Sequence, residues 1–584
     1  MSDQHPHALR PIIRNASPDG APQHCTEADY AAYVASLPWQ PESRKRLLRH
    51  RQAFLDRWPS LESWLEAPMT ERLERSSGGG RGHRLYIYYL ALTDRVRLDY
   101  AWMFAAGQIA AGRTAASLNL DLGIPALCAA AMRLGFDQEG ALQSVRWSVT
   151  RIALRSGVRT PEELEAQHID DALAAVQEFT ARPDVGLFYG SAERFKRGPA
   201  VIWAHNLNTL KMILFHRGQY PAPPKKIMPR SIRPVAQSGM WAVVERWLGR
   251  KRLTLQPKTT YALGYSMRRF LGHLALVAPE IDNFDRVTRE HALSFLQALA
   301  SEPTATTGRP MSSYARRNRG VAVAQFFQDT SNWGWDGVPG RPLLDRRDIP
   351  PMPVRVPRFI PADELARLMD AVRGLECPYQ RAAILTARWS GARRREVQRL
   401  PVRCLDSYPD GTARLRIPVS KNLRERVVPL HEEAAEALRT VVALRAGAEE
   451  RPLIDERTGS PEHFLFSKYG RLMSAQYLFG PVLDKACKSA GLTDRRGRGT
   501  VTAHRFRHTV GTQLAESGAR LHTIMSVLGH LSPDMAMVYA RISDAEVLRD
   551  YKAVLGPGAV IAGGVSKTWG GWLACLGLIG VADA

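Results

Sequence analysis

The amino-acid sequence predicts a mainly α-helical protein with one small antiparallel β-sheet, placed late in the chain. Three observations point there. Apolar residues recur at helical spacing in the early blocks, as in SRKRLLRHRQAFLDRW (43–58) and DALAAVQEFTARP (171–183). Strict alternation occurs in TARLRIPVS, which sets Leu415, Ile417 and Val419 against Arg414 and Arg416. Pro- and Arg-rich stretches cut the chain into blocks, because successive prolines cannot sit inside a helix or a central strand.

Residues 1–219 form a helical N-terminal region in which no patch carries recognisable chemistry. Residues 220–234, YPAPPKKIMPRSIRP, read as an extended basic linker. Residues 235–344 form a second helical block. There KTTYALGYSMRRFLGHLALV puts Tyr261, Tyr265, Phe270 and Leu274 near one face and Arg268 and Arg269 on another. Arg316, Arg317 and Arg319 gather near the start of a further helix. Such clusters are often plain solvated faces; two of them between basic linkers favour a core DNA-binding domain. Residues 345–358, DRRDIPPMPVRVPR, are a second linker.

Residues 359–555 are mixed. PADELARLMDAV opens a helix, with Pro and acidic residues in its first turn. RAAILTARWSGARRREVQRL reads as a buried helix, a Gly turn and another helix. The alternating strand follows, then KNLRE as a turn and RVVPL as the return strand. Residues after Ser474 are helical between turns. Residues 556–584 form an apolar tail that is too short and Gly-rich for a membrane span.

Composition narrows the partners. Lys and Arg number 80 against 57 Asp and Glu, a formal charge of +23 that favours polyanions and above all nucleic acid. Hydrophobic residues at 45% exclude a disordered chain. Cys25, Cys128, Cys377, Cys404, Cys487 and Cys575 include no C-x-x-C pair, against a structural zinc site or a disulfide framework. MSDQHPHALRPIIRN lacks the apolar segment of a secretory signal. The expectation is a cytoplasmic, nucleoid-associated protein without a membrane partner.

Four patches in the third block weigh together. They are SGARRREV with Arg393 and Glu396; Lys421 at the hairpin tip; AHRFRHTVGTQL with His504 and Arg507 on one helix face; and LGHLSPDMAMVYARI with His530 and, nine residues on, Tyr539. Each has an ordinary explanation: a helix ion pair, a solvated turn lysine, a histidine cap, a core tyrosine. His504 and His508 at i and i+4 also have metal-helix spacing, but Arg507 and Arg505 beside them would repel a cation. Ser532-Pro533 marks a helix start that puts Tyr539 about two turns in, with Met535 and Val538 as its packing residues.

Taken in order, Arg393, Lys421, His504-x-x-Arg507, Leu528-Gly529-His530 and Tyr539 resemble the catalytic domain of tyrosine site-specific recombinases, the phage integrase family. The resemblance covers about 200 residues, and residues 235–344 are similar, less specifically, to the family's helical core-binding domain. Length alone points to the large, transposon-associated members. Two departures stand out: Ser390-Gly391-Ala392-Arg393 replaces the family's Thr-Gly-x-Arg turn, and the chain continues well beyond Tyr539.

The resemblance implies site-specific recombination for integration, excision or transposition, with no cofactor and no metal. Arg393 and Arg507 would clamp the phosphate oxygens, His504 and His530 would add hydrogen bonds, and Tyr539 would attack to leave a 3′-phosphotyrosine. Lys421 would protonate the leaving 5′-oxygen, and Glu396 would orient Arg393 or cap its turn. The partners implied are double-stranded DNA, a homotetramer on paired sites and accessory recombination proteins. A type IB topoisomerase and a catalytically silent DNA-binding regulator are the alternatives.

Overall fold

The computed structural model describes residues 25–74, 82–223, 237–301, 308, 310–351, 358–420, 424–447, 450–540, 560–561 and 565–566. The architecture is predominantly helical with small antiparallel sheets. The described residues form two compact units, one from those up to 223 together with those from 358 on, the other from those between 237 and 351.

In the first unit, the N-terminal helices close over an aromatic core that includes Tyr30, Trp64, Trp102 and Phe179. Its spine is the helix Gln138–Ser156. Asp137 caps it by accepting from the Gly140 N–H at 2.7 Å, and Gly157 ends it in the left-handed region. Val145, Val149 and Ile152 recur at helical spacing on its buried side. The helices Ile124–Arg133 and Pro199–His216 lie against it.

The later part of the same unit holds the mixed domain. Strands β1 (Leu405–Ser407), β2 (Ala413–Ile417) and β3 (Arg426–Pro429) form the antiparallel sheet, with Leu415 opposite Val428 and Ile417 opposite Arg426. Ala413, Leu415 and Ile417 are buried while Arg416 faces out, as period-two alternation requires. The helix Pro378–Ser390 is buried over most of its length and delivers the chain to Gly391. Short strands β4 (Leu453–Ile454) and β5 (Pro461–Glu462) make one hairpin, and β6 (Ser467–Lys468) and β7 (Arg471–Leu472) another.

The β6–β7 hairpin joins the mixed domain to the N-terminal helices. Tyr469 and Gly470 have φ of 58° and 68°, the two positive values of the tight hairpin turn. The Tyr469 N–H donates to the Leu134 carbonyl at 2.9 Å, and its ring lies 4.8 Å from that of Phe136. His216 uses both ring nitrogens: Nε2 lies 2.8 Å from the Gly470 carbonyl, and Nδ1 accepts from the Arg451 N–H at 2.9 Å. A Cβ at position 470 would stand 2.6 Å from His216, so only glycine admits this approach.

The second unit is a helical bundle of Ser238–Arg252, Pro257–Val277, Arg289–Ser301 and Ser313–Asn332. Its core takes Met267, Phe270, Leu271 and Leu274 from the second helix. Tyr261 and Tyr265 are not part of that stripe; they are 41% and 45% exposed. The buried stripe runs through Leu263 and its i+4, i+7 and i+8 partners, Met267, Phe270 and Leu271. The tyrosines fall on the outer face, where the Arg319 guanidinium lies 5.5 Å from the Tyr265 ring centroid. Among the described residues no helix is long and apolar enough to cross a membrane.

Candidate active site

The site begins where the helix Pro378–Ser390 ends. The Ser390 hydroxyl donates to the Thr386 carbonyl at 2.5 Å and accepts from the Ala392 N–H at 3.2 Å, so a serine suffices to tie this turn. Arg393 is the N-cap residue of the short helix Arg394–Gln398. Glu396 both caps the turn and orients Arg393. One carboxylate oxygen accepts from the Arg393 N–H at 2.9 Å, and the other from its guanidinium at 2.6 Å. Arg426 of β3 donates to the same carboxylate at 2.7 Å and to the Val527 carbonyl at 3.0 Å. Burial works to raise the pKa of Glu396, but hydrogen bonding and charge from Arg426 and Arg393 hold it down at about 2.

The helix Ala503–Glu516 supplies His504, Arg507 and His508 from one side. Arg507 is 2% exposed. It donates to the Gly391 carbonyl at 3.0 Å and to the Leu528 carbonyl, bolting the Arg393 turn to the end of the helix Leu521–Leu528. Among the described residues it has no carboxylate in an ion pair. Burial first, and then the Arg393 charge, bring it down to about 9. His504 is exposed at the helix start, its ring 4.6 Å from that of His508 and near perpendicular to it. Burial, Arg507 and Arg393 hold it below the ordinary histidine range.

Gly529 ends the helix Leu521–Leu528 in the left-handed region, and His530 follows with its N–H bonded to the Met525 carbonyl at 2.9 Å. Its ring stacks on Tyr539, 6.0 Å between centroids and 4° between planes. Its Nδ1 is buried without a hydrogen-bond partner among the described residues. Burial, Arg507 and Arg393 push His530 down to about 4, so the ring is neutral at physiological pH.

Tyr539 lies on the helix Pro533–Ala540, whose start agrees with the Ser532-Pro533 signal. It is 3% exposed. The helix packs through Ala536 and Tyr539, while Met535 is 44% exposed and so is not the packing residue that the sequence pointed to. The ring lies on Gly511, where a Cβ would come within 2.8 Å of it. The tyrosine hydroxyl and Nδ1 of His508 lie 3.2 Å apart, at hydrogen-bond distance. Burial pushes the phenol above its ordinary range, against the opposing charges of Arg507 and Arg393. Burial, then His504, Arg507 and Arg505, push His508 down to about 4, so its ring is neutral at physiological pH.

Arg393, His504, Arg507, His530 and Tyr539 are thus brought together. Lys421 lies outside the described residues; Val419 and Ser420 just before it line a cavity of about 440 Å³ that Arg393 and His504 also line. The sequence reading weighed His508 only as a metal ligand and passed over Arg426 as a site residue. His508 was within reach, one helical turn beyond His504 on the face toward Tyr539. Arg426 depends on strand register, which no local pattern sets. Among the described residues, no three His, Cys, Asp or Glu side chains converge as a metal site.

Parts of this chain are similar to known proteins. The phage integrase family matches residues 358–546. Transposase B from transposon Tn554 of Staphylococcus aureus is 27% identical over 290 residues, covering 49% of this chain and 42% of that protein. The chain therefore spans under half the length of that relative. Tyrosine recombinase XerD of Caulobacter vibrioides is 27% identical over 326 residues, covering 53% of this chain and 94% of that protein. A solved structure of the Tn1549 transposon integrase in complex with transposon right end DNA is 18% identical, with a TM-score of 0.40, covering 54% of this chain and 99% of that one. Residues 358–546, the stretch that matches the phage integrase family, enclose every described member of the cluster from Arg393 to Tyr539.

Proposed function

We propose that the chain is a site-specific DNA recombinase that cuts a strand with Tyr539, holds it as a 3′-phosphotyrosine and rejoins it to another 5′-hydroxyl. The observation that carries the reading is the meeting of the Tyr539 hydroxyl with His508, and of its ring with His530, beside a buried Arg507 that no carboxylate neutralises among the described residues. Tyr539 Oη forms the bond to phosphorus as the bond to the 5′-oxygen breaks. The phenol proton passes to a neighbouring base, and Lys421 gives a proton to the 5′-oxygen. Arg393 and Arg507 offer planar paired donors to the non-bridging oxygens as charge builds there. One such donor is worth roughly 3–4 kcal/mol in the transition state. His504 and His530 add neutral N–H donors, and the unpartnered Nδ1 of His530 supports that role. The bond energy is kept in the phosphotyrosine, so the reaction needs no ATP.

The relatives' names, a transposase and a tyrosine recombinase, support DNA as the partner. Residues 359–555 are the catalytic domain in this reading and residues 235–344 the core DNA-binding domain. The working form is a homotetramer on paired sites, joined by accessory proteins and acting on the nucleoid.

The test is covalent capture. A nicked duplex carrying the sequence that flanks the gene should trap the wild-type chain in a denaturing gel. Tyr539→Phe should bind the duplex as well and form no adduct. An adduct with Phe at 539 would show that another residue attacks. Relaxation of a supercoiled plasmid lacking that sequence would point to a swivelling enzyme instead.

A further inference from the structure

We propose that Arg395 and Arg457 form a second phosphate subsite in the Arg393–His504 cavity, holding a non-scissile phosphodiester of the strand that is cut. The inference rests on the recombinase reading and adds to it a site outside the six residues named from the sequence.

The cavity is lined by five arginines: Arg393, Arg394, Arg395, Arg399 and Arg457. The carboxylate that lines it, Glu396, is already held by Arg393 and Arg426, and Arg399 is ion-paired with Asp455 behind the lining residues. Asp455 also accepts the Arg457 and Thr458 backbone N–H groups, at 2.7 and 3.3 Å, which fixes the β4–β5 turn that carries Arg457. Glu456, the next residue, is 3.9 Å from Arg399 and points to solvent. Arg395 and Arg457 are therefore left without an ion pair among the described residues.

Two further facts separate this from a solvated basic face. Arg457 is only partly exposed. Burial, and then the charges of Arg399 and Arg395, hold it below the ordinary arginine range. A partly buried guanidinium among like charges gains most from an anion that can take its planar donors. The same cavity presents Arg393 and His504, the proposed ligands of the reacting phosphate. Phosphates recur along each strand about every 3.4 Å of rise, so a strand seated on Arg393 carries a neighbour into this cavity.

The test measures DNA affinity of the full chain against salt, on the same flanking duplex. Each phosphate that the protein no longer neutralises should lower the slope of log K against log salt by about 0.9. The expected result is a drop of about that size for the pair Arg395→Ala and Arg457→Ala, and little change for Arg395→Lys with Arg457→Lys, which keeps the charge. Arg393→Ala is the reference. A lower slope for Arg393→Ala with an unchanged slope for the alanine pair overturns the subsite and leaves the recombinase reading standing. Unchanged slopes for both overturn the placing of DNA in the cavity altogether. If the alanine pair melts early, Arg395→Ala alone and Arg457→Gln alone, each folded, carry the same measurement.

Discussion

His508 and His530 flank the Tyr539 ring, and both are held neutral down to about pH 4. The consequence for stability has a definite sign. An unfolded histidine takes up its proton near the ordinary value of 6.5, while the folded ones resist until about 4. Below 6.5 the unfolded chain thus binds more protons, so stability present at neutral pH is lost as pH falls from 6.5 toward 4. After screening by solvent, each ring should contribute about 1 kcal/mol to that loss. Urea unfolding at pH 7 and pH 5 should show it, and His508→Gln should flatten the difference. An unflattened difference would mean that His508 titrates normally in the fold. At this scale the sequence was most legible. His504 and Arg507 sit at a helical i, i+3 spacing, Tyr539 came from the resemblance, and the structure brings those three together. Arg426 was hidden, because reaching Glu396 requires β3 to pair with β2 in one register.

At the scale of elements, the hairpin tip Tyr469–Gly470 makes a close fit between the mixed domain and the N-terminal helices. Gly470→Ala puts a methyl against His216 and into a left-handed backbone, a cost of about 1–3 kcal/mol. Thermal or urea unfolding measures it. On a His216→Ala background the same change should cost less, since the clash is gone; equal costs would assign the whole effect to the backbone. The elements themselves were readable where a single local rule set them. The alternation of Leu415 and Ile417 predicted β2, and Ser532-Pro533 predicted the start of the Tyr539 helix. Tyr261 and Tyr265 were misplaced because two stripes on one long helix both carry large apolar side chains. Burial goes to the one with Met267 and Leu271, which can shed all contact with water.

Over the whole molecule, the attachment of the N-terminal helices to the mixed domain was not legible at all. Its contacts include a carbonyl at Leu134, two nitrogens of His216 and a tyrosine in a turn, none of which forms a periodic pattern. Their pairing is fixed only when both surfaces exist. Phe136→Ala together with Arg451→Ala removes a ring contact and a guanidinium that donates to the Phe215 carbonyl at 2.9 Å. In the full chain, amide exchange should then rise at 450–454 and 467–472, while the helix Ala503–Glu516 keeps its protection. Exchange rising throughout that helix would mean that the N-terminal helices support the active site directly.

Arg507 touches every scale at once. One guanidinium grips the Gly391 carbonyl on one side and the Leu528 carbonyl on the other, so it is held in place only after both segments have closed around it. Under the proposed function, a chain that has folded its helices but not yet docked them would carry a tyrosine with no clamp for the phosphate. Such a chain would touch DNA through its many cations yet have no means to break a strand. On that proposal the assembly of the fold would be its own safety catch, and a nascent or damaged copy would fail by doing nothing rather than by leaving a nick.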